Sequence, residues 1–218
     1  MGKLVIFGTS NFAEVAHFYF THDSEHEVVA FTVNKSHLTE TEFHGLPVVA
    51  FEEMEKRFPP SSFAMFVAVG YSGVNKMRAR VYSEAKGKGY SLVTYISSKC
   101  TYWGTPIGDN CFIFEDNTIQ PFVCIGNDVI IWSGNHIGHH STIGDHCFIS
   151  SHVVISGYDK VGAYSFLGVN ATLRDAISIG ESCVIGAGAL IMRSTKDNEV
   201  YVAERTKPFP RSSDQIQF

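Results

Sequence analysis

Half of the chain's ten histidines fall between positions 136 and 152: His136, His139, His140, His146 and His152. Imidazole titrates closer to neutrality than any other side chain, so a histidine held on a surface can take a proton from a nucleophile and release it again. His139 and His140 are adjacent, inside Ile137-Gly138-His139-His140-Ser141-Thr142-Ile143-Gly144. His136, His139 and His140 also have His-x-x-His-His spacing, which on a helix would gather nitrogens for zinc. Around a β corner the same spacing does not converge, so a metal would need histidines from several subunits, and no metal is expected. His136, His146 and His152 read as surface polar residues. His139 reads as a general base, with His140 beside it as the second candidate catalytic residue.

A second stretch has phosphate chemistry. Gly8-Thr9-Ser10-Asn11-Phe12-Ala13 lies between a buried apolar run (3–7) and an amphipathic segment (11–20). It is a glycine fingerprint with serine and alanine at its second and third glycine positions. Backbone amides at such a helix N-terminus can hold a diphosphate. The second strand ends Thr32-Val33-Asn34-Lys35, without the acidic residue that takes a ribose hydroxyl, so a nucleotide held by its phosphates fits better than a redox dinucleotide. Asn34 and Gly70 stand at the C-terminal ends of strands, where ligands collect in such sheets.

Two sets of elements must position these residues. Over 107–191 every sixth residue is a branched aliphatic, from Ile107 through Ile191, fifteen in succession. Neither the helical nor the flat-strand period is six; a left-handed parallel β-helix has that period, with one aliphatic pointing inward per side of a triangular coil and eighteen residues per coil. Eight of the aliphatics are followed by glycine, which suits a corner with positive φ or close backbone approach. Cys111, Ser141, Cys147, Ser165, Ala171, Cys183 and Ala189, four residues after an aliphatic, are small enough to sit beside the core. Cys111, Cys147 and Cys183 recur every 36 residues and read as reduced core thiols of a cytoplasmic protein. Tyr102 and Trp103 read as a cover over the base of the coil.

Before residue 98, strands are expected at 3–7, 28–32, 63–69 and 91–95, an edge strand at 45–50, and helices at 11–20, 51–58 and 71–88. Strands alternating with helices imply a small Rossmann-like parallel sheet. The domains are therefore residues 1–98, an α/β Rossmann-like nucleotide-binding unit, and 99–218, an all-β left-handed β-helix with a C-terminal tail. A 44% hydrophobic content supports a core, and a net charge of −5 with no basic run speaks against nucleic acid. No apolar run reaches the length of a membrane span, so membrane insertion is not expected.

Together the two halves resemble sugar acetyltransferases of the NeuD/PglD type. The matching stretches are Ile6–Ala13, Ala68-Val69-Gly70, the His139 segment, Phe166-Leu167-Gly168-Val169-Asn170 and Val184-Ile185-Gly186-Ala187-Gly188-Ala189. The resemblance implies that His139 is the base that deprotonates a sugar amine as it attacks acetyl-CoA. It implies that Ser10, Asn11, Phe12, Asn34 and Gly70 hold a nucleotide-linked amino sugar. It also implies that acetyl-CoA runs beside Gly157, Val169 and Ala187, in an active site shared between subunits of a homotrimer. Three positions depart from the family pattern. His140 stands where a carboxylate usually follows the base. Phe148 stands where some relatives place a second histidine against CoA. The closing Gly-x-Pro-Ala-Lys reads Ala203-Glu204-Arg205-Thr206-Lys207, leaving only Lys207 for CoA. N-acylation is the expected reaction. O-acylation, a zinc site like that of gamma-class carbonic anhydrases, and a non-catalytic nucleotide-sugar scaffold are the alternatives.

Overall fold

An aliphatic at every sixth position has one place to go in the computed structural model, which describes residues 2–211 and 213–216. Two-residue strands end on these aliphatics and stack into three parallel ladders. One face runs from Tyr95–Ile96 through Phe112–Ile113, Ile130–Ile131, Phe148–Ile149, Phe166–Leu167 and Val184–Ile185 to Val200–Tyr201. The second runs from Thr101–Tyr102 to Leu190–Ile191, and the third from Cys124–Ile125 to Ser178–Ile179. Register between coils is 18 residues, as in Ile131↔Ile149 and Ile137↔Ile155. Fourteen of the fifteen aliphatics are buried in one continuous core, and Ile107 packs partly buried against it. The six-residue period and parallel ladders fit the left-handed β-helix expected from the sequence.

Close backbone approach and positive φ fall on different residues of each corner. Glycines after the inward aliphatics provide close approach: a Cβ on Gly138 would lie 2.5 Å from Ser156 C, and one on Gly162 2.6 Å from Gly180 C. Positive φ falls two residues later, at Asn110, Phe122, His140, His146, Tyr158, Tyr164 and their equivalents. The small inward residues also pair with the corners. Cys111 and Cys147 donate Sγ–H to the carbonyls of Gly126 and Gly162 (3.1 and 3.2 Å), and Ser165 donates Oγ–H to that of Gly180 (2.9 Å). Tyr102 packs against the core, but Trp103 is 73% exposed and covers nothing.

The first part of the chain folds as β1 (Lys3–Phe7), α1 (Asn11–His22), β2 (Glu27–Val33), β3 (Glu42–Phe43), β4 (Leu46–Ala50), β5 (Ala64–Val67) and α2 (Lys76–Gly87), with a 3-10 turn at Phe51–Lys56. The sheet order is β3-β4-β2-β1-β5, parallel except for β3. Strand alternation splits its core: Leu4 and Ile6 face α1, while Val5 and Phe7 face α2. Two expectations change. The second helix begins at Lys76 rather than 71, because Gly73, Val74 and Asn75 in succession take positive φ (63°, 52°, 64°), which no helix continues. The segment 91–95 is not a full strand. Leu92 alone bridges to Met65, and Tyr95–Ile96 has joined the coil ladder beside Phe112–Ile113. Thr94 is drawn there by hydrogen bonds to Gly108 O and Cys111 N. The coil ladder thus begins at Tyr95.

The α/β layer sits on the first face of the coil. On that face the residue before the inward aliphatic is apolar, coil after coil: Phe112, Ile130, Phe148, Phe166. These pack against Phe12, Tyr19, Phe20 and Phe66 in a single buried cluster with Trp132. A polar contact pins α2 to the corner beside it. Arg78, fully buried, donates to the carbonyls of Gly70, Asp128, His146 and Cys147 and stands 3.1 Å from Asp128 Oδ2. Asp128 also accepts from Asn110 (2.7 Å) and pairs with His146 Nδ1 (2.8 Å). His146, expected at the surface, is therefore a buried structural residue. Among the described residues no helix is long and apolar enough to cross a membrane.

One inward position carries a carboxyl group. Asp159 is fully buried, accepts from Ile177 N–H at 3.0 Å through Oδ1, and has no partner for Oδ2. Burial raises its pKa to about 6. A carboxyl pKa raised on folding gives stability that is present at low pH and lost as pH rises through the folded value. Asn117 and Asn135 occupy equivalent positions and accept the same kind of backbone N–H. Asp159→Asn is expected to raise the melting temperature by several degrees at pH 8 and to change it little at pH 4. An equal shift at both pH values would show that Asp159 is not the group that titrates.

Candidate active site

His139 and His140 occupy the corner between His136–Ile137 on the second face and Thr142–Ile143 on the third. Both are exposed. The corner backbone is held from both neighbouring coils: His139 N–H donates to Gln120 Oε1 (2.9 Å), and Tyr158 N–H donates to His139 O (3.0 Å). The His139 ring lies over Gly157 of the next coil, where an added Cβ would stand 2.9 Å from Cε1 and 3.1 Å from Nε2. It is edge-on to Tyr158 (5.1 Å, 89°). His140 stacks on Tyr158 (4.9 Å, 17°) and meets Phe122 on its other side (4.6 Å, 38°). The two imidazoles approach through Nδ1, 3.1 Å apart. Among the described residues no three His, Cys, Asp or Glu side chains group as metal ligands.

Two of the inward thiols are unsuited to act as nucleophiles. Burial pushes the thiols of Cys111 and Cys147 up to about 12, so neither becomes a thiolate near neutral pH.

The phosphate-type turn forms between β1 and α1. Gly8 takes φ +121°, and a Cβ there would lie 2.8 Å from Ala68 O, so the turn requires glycine. Ser10 is the N-cap residue, yet its side chain makes no capping hydrogen bond. Ser10 and Asn11 are exposed at this end, where first-turn amides have no partner within the helix. Phe12 turns inward instead, packing near Phe66, Phe112 and Trp132. Asn34 lines a cavity of about 160 Å³ at the C-terminal edge of the sheet, with Phe7, Val33, His37, Val69 and Arg80. Its buried Oδ1 has no hydrogen-bond partner. Gly70 does not line that cavity, and its carbonyl is taken by Arg78.

The remaining candidates do not form one site within a single chain. Gly157 lies beneath His139. Val169 and Ala187 share a ladder, 18 residues apart, at the corner between the first and second faces. Phe148 is on the first face, 5% exposed, against Tyr71 and Phe166. Lys207 is exposed on the tail. His139 sits at the corner opposite the first face, which carries the α/β layer, so the β1–α1 turn and His139 lie on different sides of one coil. The aromatic neighbours of His140 went unread in the sequence, although Phe122, His140 and Tyr158 recur at 18-residue spacing.

The architecture is that of a hexapeptide-repeat β-helix protein with an N-terminal α/β layer. Residues 125–157 match the bacterial transferase hexapeptide (six repeats), and 160–193 match the hexapeptide repeat of succinyl-transferase. The chain shares the fold of a variant of perosamine N-acetyltransferase from Caulobacter crescentus, solved with CoA and GDP-perosamine: TM-score 0.81 and 24% identity, over 92% of this chain and 93% of that one. The acetyltransferase domain of PglB from Neisseria gonorrhoeae FA1090 gives TM-score 0.78 and 22% identity, over 92% and 96%. WeeI from Acinetobacter baumannii AYE gives 0.72 and 17%, over 92% and 96%. No curated protein sequence matches the chain. These findings agree with the resemblance to NeuD/PglD-type sugar acetyltransferases.

Gly157→Ala tests the seat of the imidazole. The added methyl is expected to move the His139 ring, displacing its Cε1–H resonance and that of its neighbour His140 while the histidine resonances elsewhere hold. An unmoved resonance in a folded variant would mean that the ring does not rest on Gly157.

Proposed function

We propose that this chain is an acyltransferase that moves an acetyl group from acetyl-CoA to the amino group of a nucleotide-linked amino sugar. The observation that carries the reading is the exposed imidazole of His139, seated on Gly157 at a hexapeptide corner. In its support, a solved protein of the same fold is a perosamine N-acetyltransferase with CoA and GDP-perosamine bound. The N-terminal layer is read as a Rossmann-like domain. The nucleotide phosphates lie against the amides of residues 10–12, with Asn34 in its cavity and Gly70 nearby. The CoA chain follows Gly157, Val169 and Ala187, with Phe148 and Lys207 as the outer candidates. Five free thiols accord with a cytoplasmic protein.

The reaction is direct transfer. The amine nitrogen attacks the thioester carbonyl and a C–N bond forms. His139 takes the amine proton, the C–S bond breaks, and the proton passes to the departing thiolate. Backbone N–H groups of a neighbouring coil serve as oxyanion donors. Two substrates held in contact contribute the rest of the rate.

The separation of His139 from the α/β layer of its own chain supports a site completed by a second copy, and we propose a homotrimer. Light scattering is expected to give about 72 kDa, three chains of 24.1 kDa; a fully active monomer would overturn the shared site. Thiol release from acetyl-CoA, assayed against nucleotide-linked amino sugars, tests the activity. His139→Asn is expected to lower kcat by about 10²–10⁴-fold with little change in either KM. Near-full activity in that variant would remove His139 as the base, and activity that follows bound zinc would replace the reading with a metal mechanism.

A further inference from the structure

His139 and His140 meet through the same kind of atom, Nδ1 to Nδ1 at 3.1 Å. That approach is a hydrogen bond only when one nitrogen carries a proton and the other does not. Two facing N–H groups, or two lone pairs, would repel. The rings are held where they are. His140 lies between Tyr158 and Phe122, its backbone fixed at φ 60°. His139 is seated over Gly157 and edge-on to Tyr158. The residues that face the pair are Gln120, Pro121 and Phe122 from the coil before and Gly157 and Tyr158 from the coil after. Of these only the Tyr158 phenol is ionisable. Among the described residues the histidines within ion-pair distance of a carboxylate are His44 and His146, so neither His139 nor His140 has an acidic partner.

We propose that His140 is the positioning residue of the site and that the pair works as a one-proton dyad. Nδ1–H of His139 donates to the bare Nδ1 of His140, which leaves Nε2 of His139 unprotonated as the base. The inference rests on the reading of His139 as the base and adds its partner and its tautomer. When Nε2 takes the substrate proton, the positive ring donates a stronger, charge-assisted bond to the neutral His140. His140 thus stabilises the imidazolium without adding a charge. A proton on Nδ1 of His140 would set N–H against N–H and undo the tautomer.

Two substitutions separate this role from simple packing. His140→Phe keeps the stacked ring, as Phe122 does at the same corner one coil earlier with φ 68°, but removes the acceptor. It is expected to lower kcat by about 10–100-fold, as loss of a supporting partner does, to leave both KM values nearly unchanged, and to move the acid limb of kcat to lower pH. His140→Asp tolerates the left-handed backbone and restores an acceptor, now anionic. It is expected to recover most of kcat and to move the acid limb to higher pH. If His139→Asn is inactive while His140→Phe keeps full kcat and an unmoved acid limb, the dyad is wrong and the base stands. Loss in His140→Phe without recovery in His140→Asp, both limbs unmoved, reduces His140 to packing and also overturns the dyad. Full activity in His139→Asn removes the base itself.

Discussion

The close approach of one coil to the next governs the rest of the molecule. At Gly138, Gly144, Gly162 and Gly168 the backbone of the following coil lies within 2.5–2.7 Å of where a Cβ would be. With that contact made, each strand pairs with the residue 18 positions on, and a slip of even one residue would set an inward aliphatic against solvent. The register therefore places side chains on the outside as strictly as on the inside. His139 lies over Gly157 because they are one coil apart, and Phe122, His140 and Tyr158 form a column for the same reason.

The same repetition creates a burial problem that the chain solves with polar residues. Several carbonyls near the corners point into the coil or lie under the α/β layer, away from water. Small side chains inside the coil satisfy some: Cys111, Cys147 and Ser165 each donate to a glycine carbonyl of the next coil. Outside it, Arg78 collects four carbonyls while facing Asp128, and Asn75 takes those of Tyr164 and Ser165. A buried ion pair adds little net stability by itself, but removing one partner strands the other. The arginine thereby fixes which corner α2 meets, and through it how the sheet lies on the coil.

That arrangement puts the β1–α1 turn and the histidine corner on different sides of the coil. The α/β layer covers the first face, while the paired imidazoles occupy the corner between the other two. A triangular coil is too thick at its packed core for a ligand to pass through it.

The six-residue period by itself determined the coil, because nothing else in polypeptide geometry repeats at that interval, and all fifteen aliphatics turn inward or pack on the core. The strand-turn-helix at Gly8 and the free thiols were equally legible, being local in sequence. So was the histidine corner, though not its contents. The sequence also held the apolar series Phe112, Ile130, Phe148 and Phe166, which marks the docked face once it is read at 18 residues rather than 6. Only the tertiary structure decided that His146 is buried beside Asp128 and Arg78, that Phe12 packs inward from the first turn of α1, and that residues 71–75 resist the helix. Those outcomes depend on partners one coil or more away, such as Asp128 and Arg78 for His146 and Phe112 for Phe12, or on successive left-handed backbone angles. Such partners are brought together by the register of the coils and leave no local pattern in the chain. The 3.1 Å meeting of two Nδ1 atoms is of the same kind: adjacency in sequence allowed it, and the rings of neighbouring coils hold it in place.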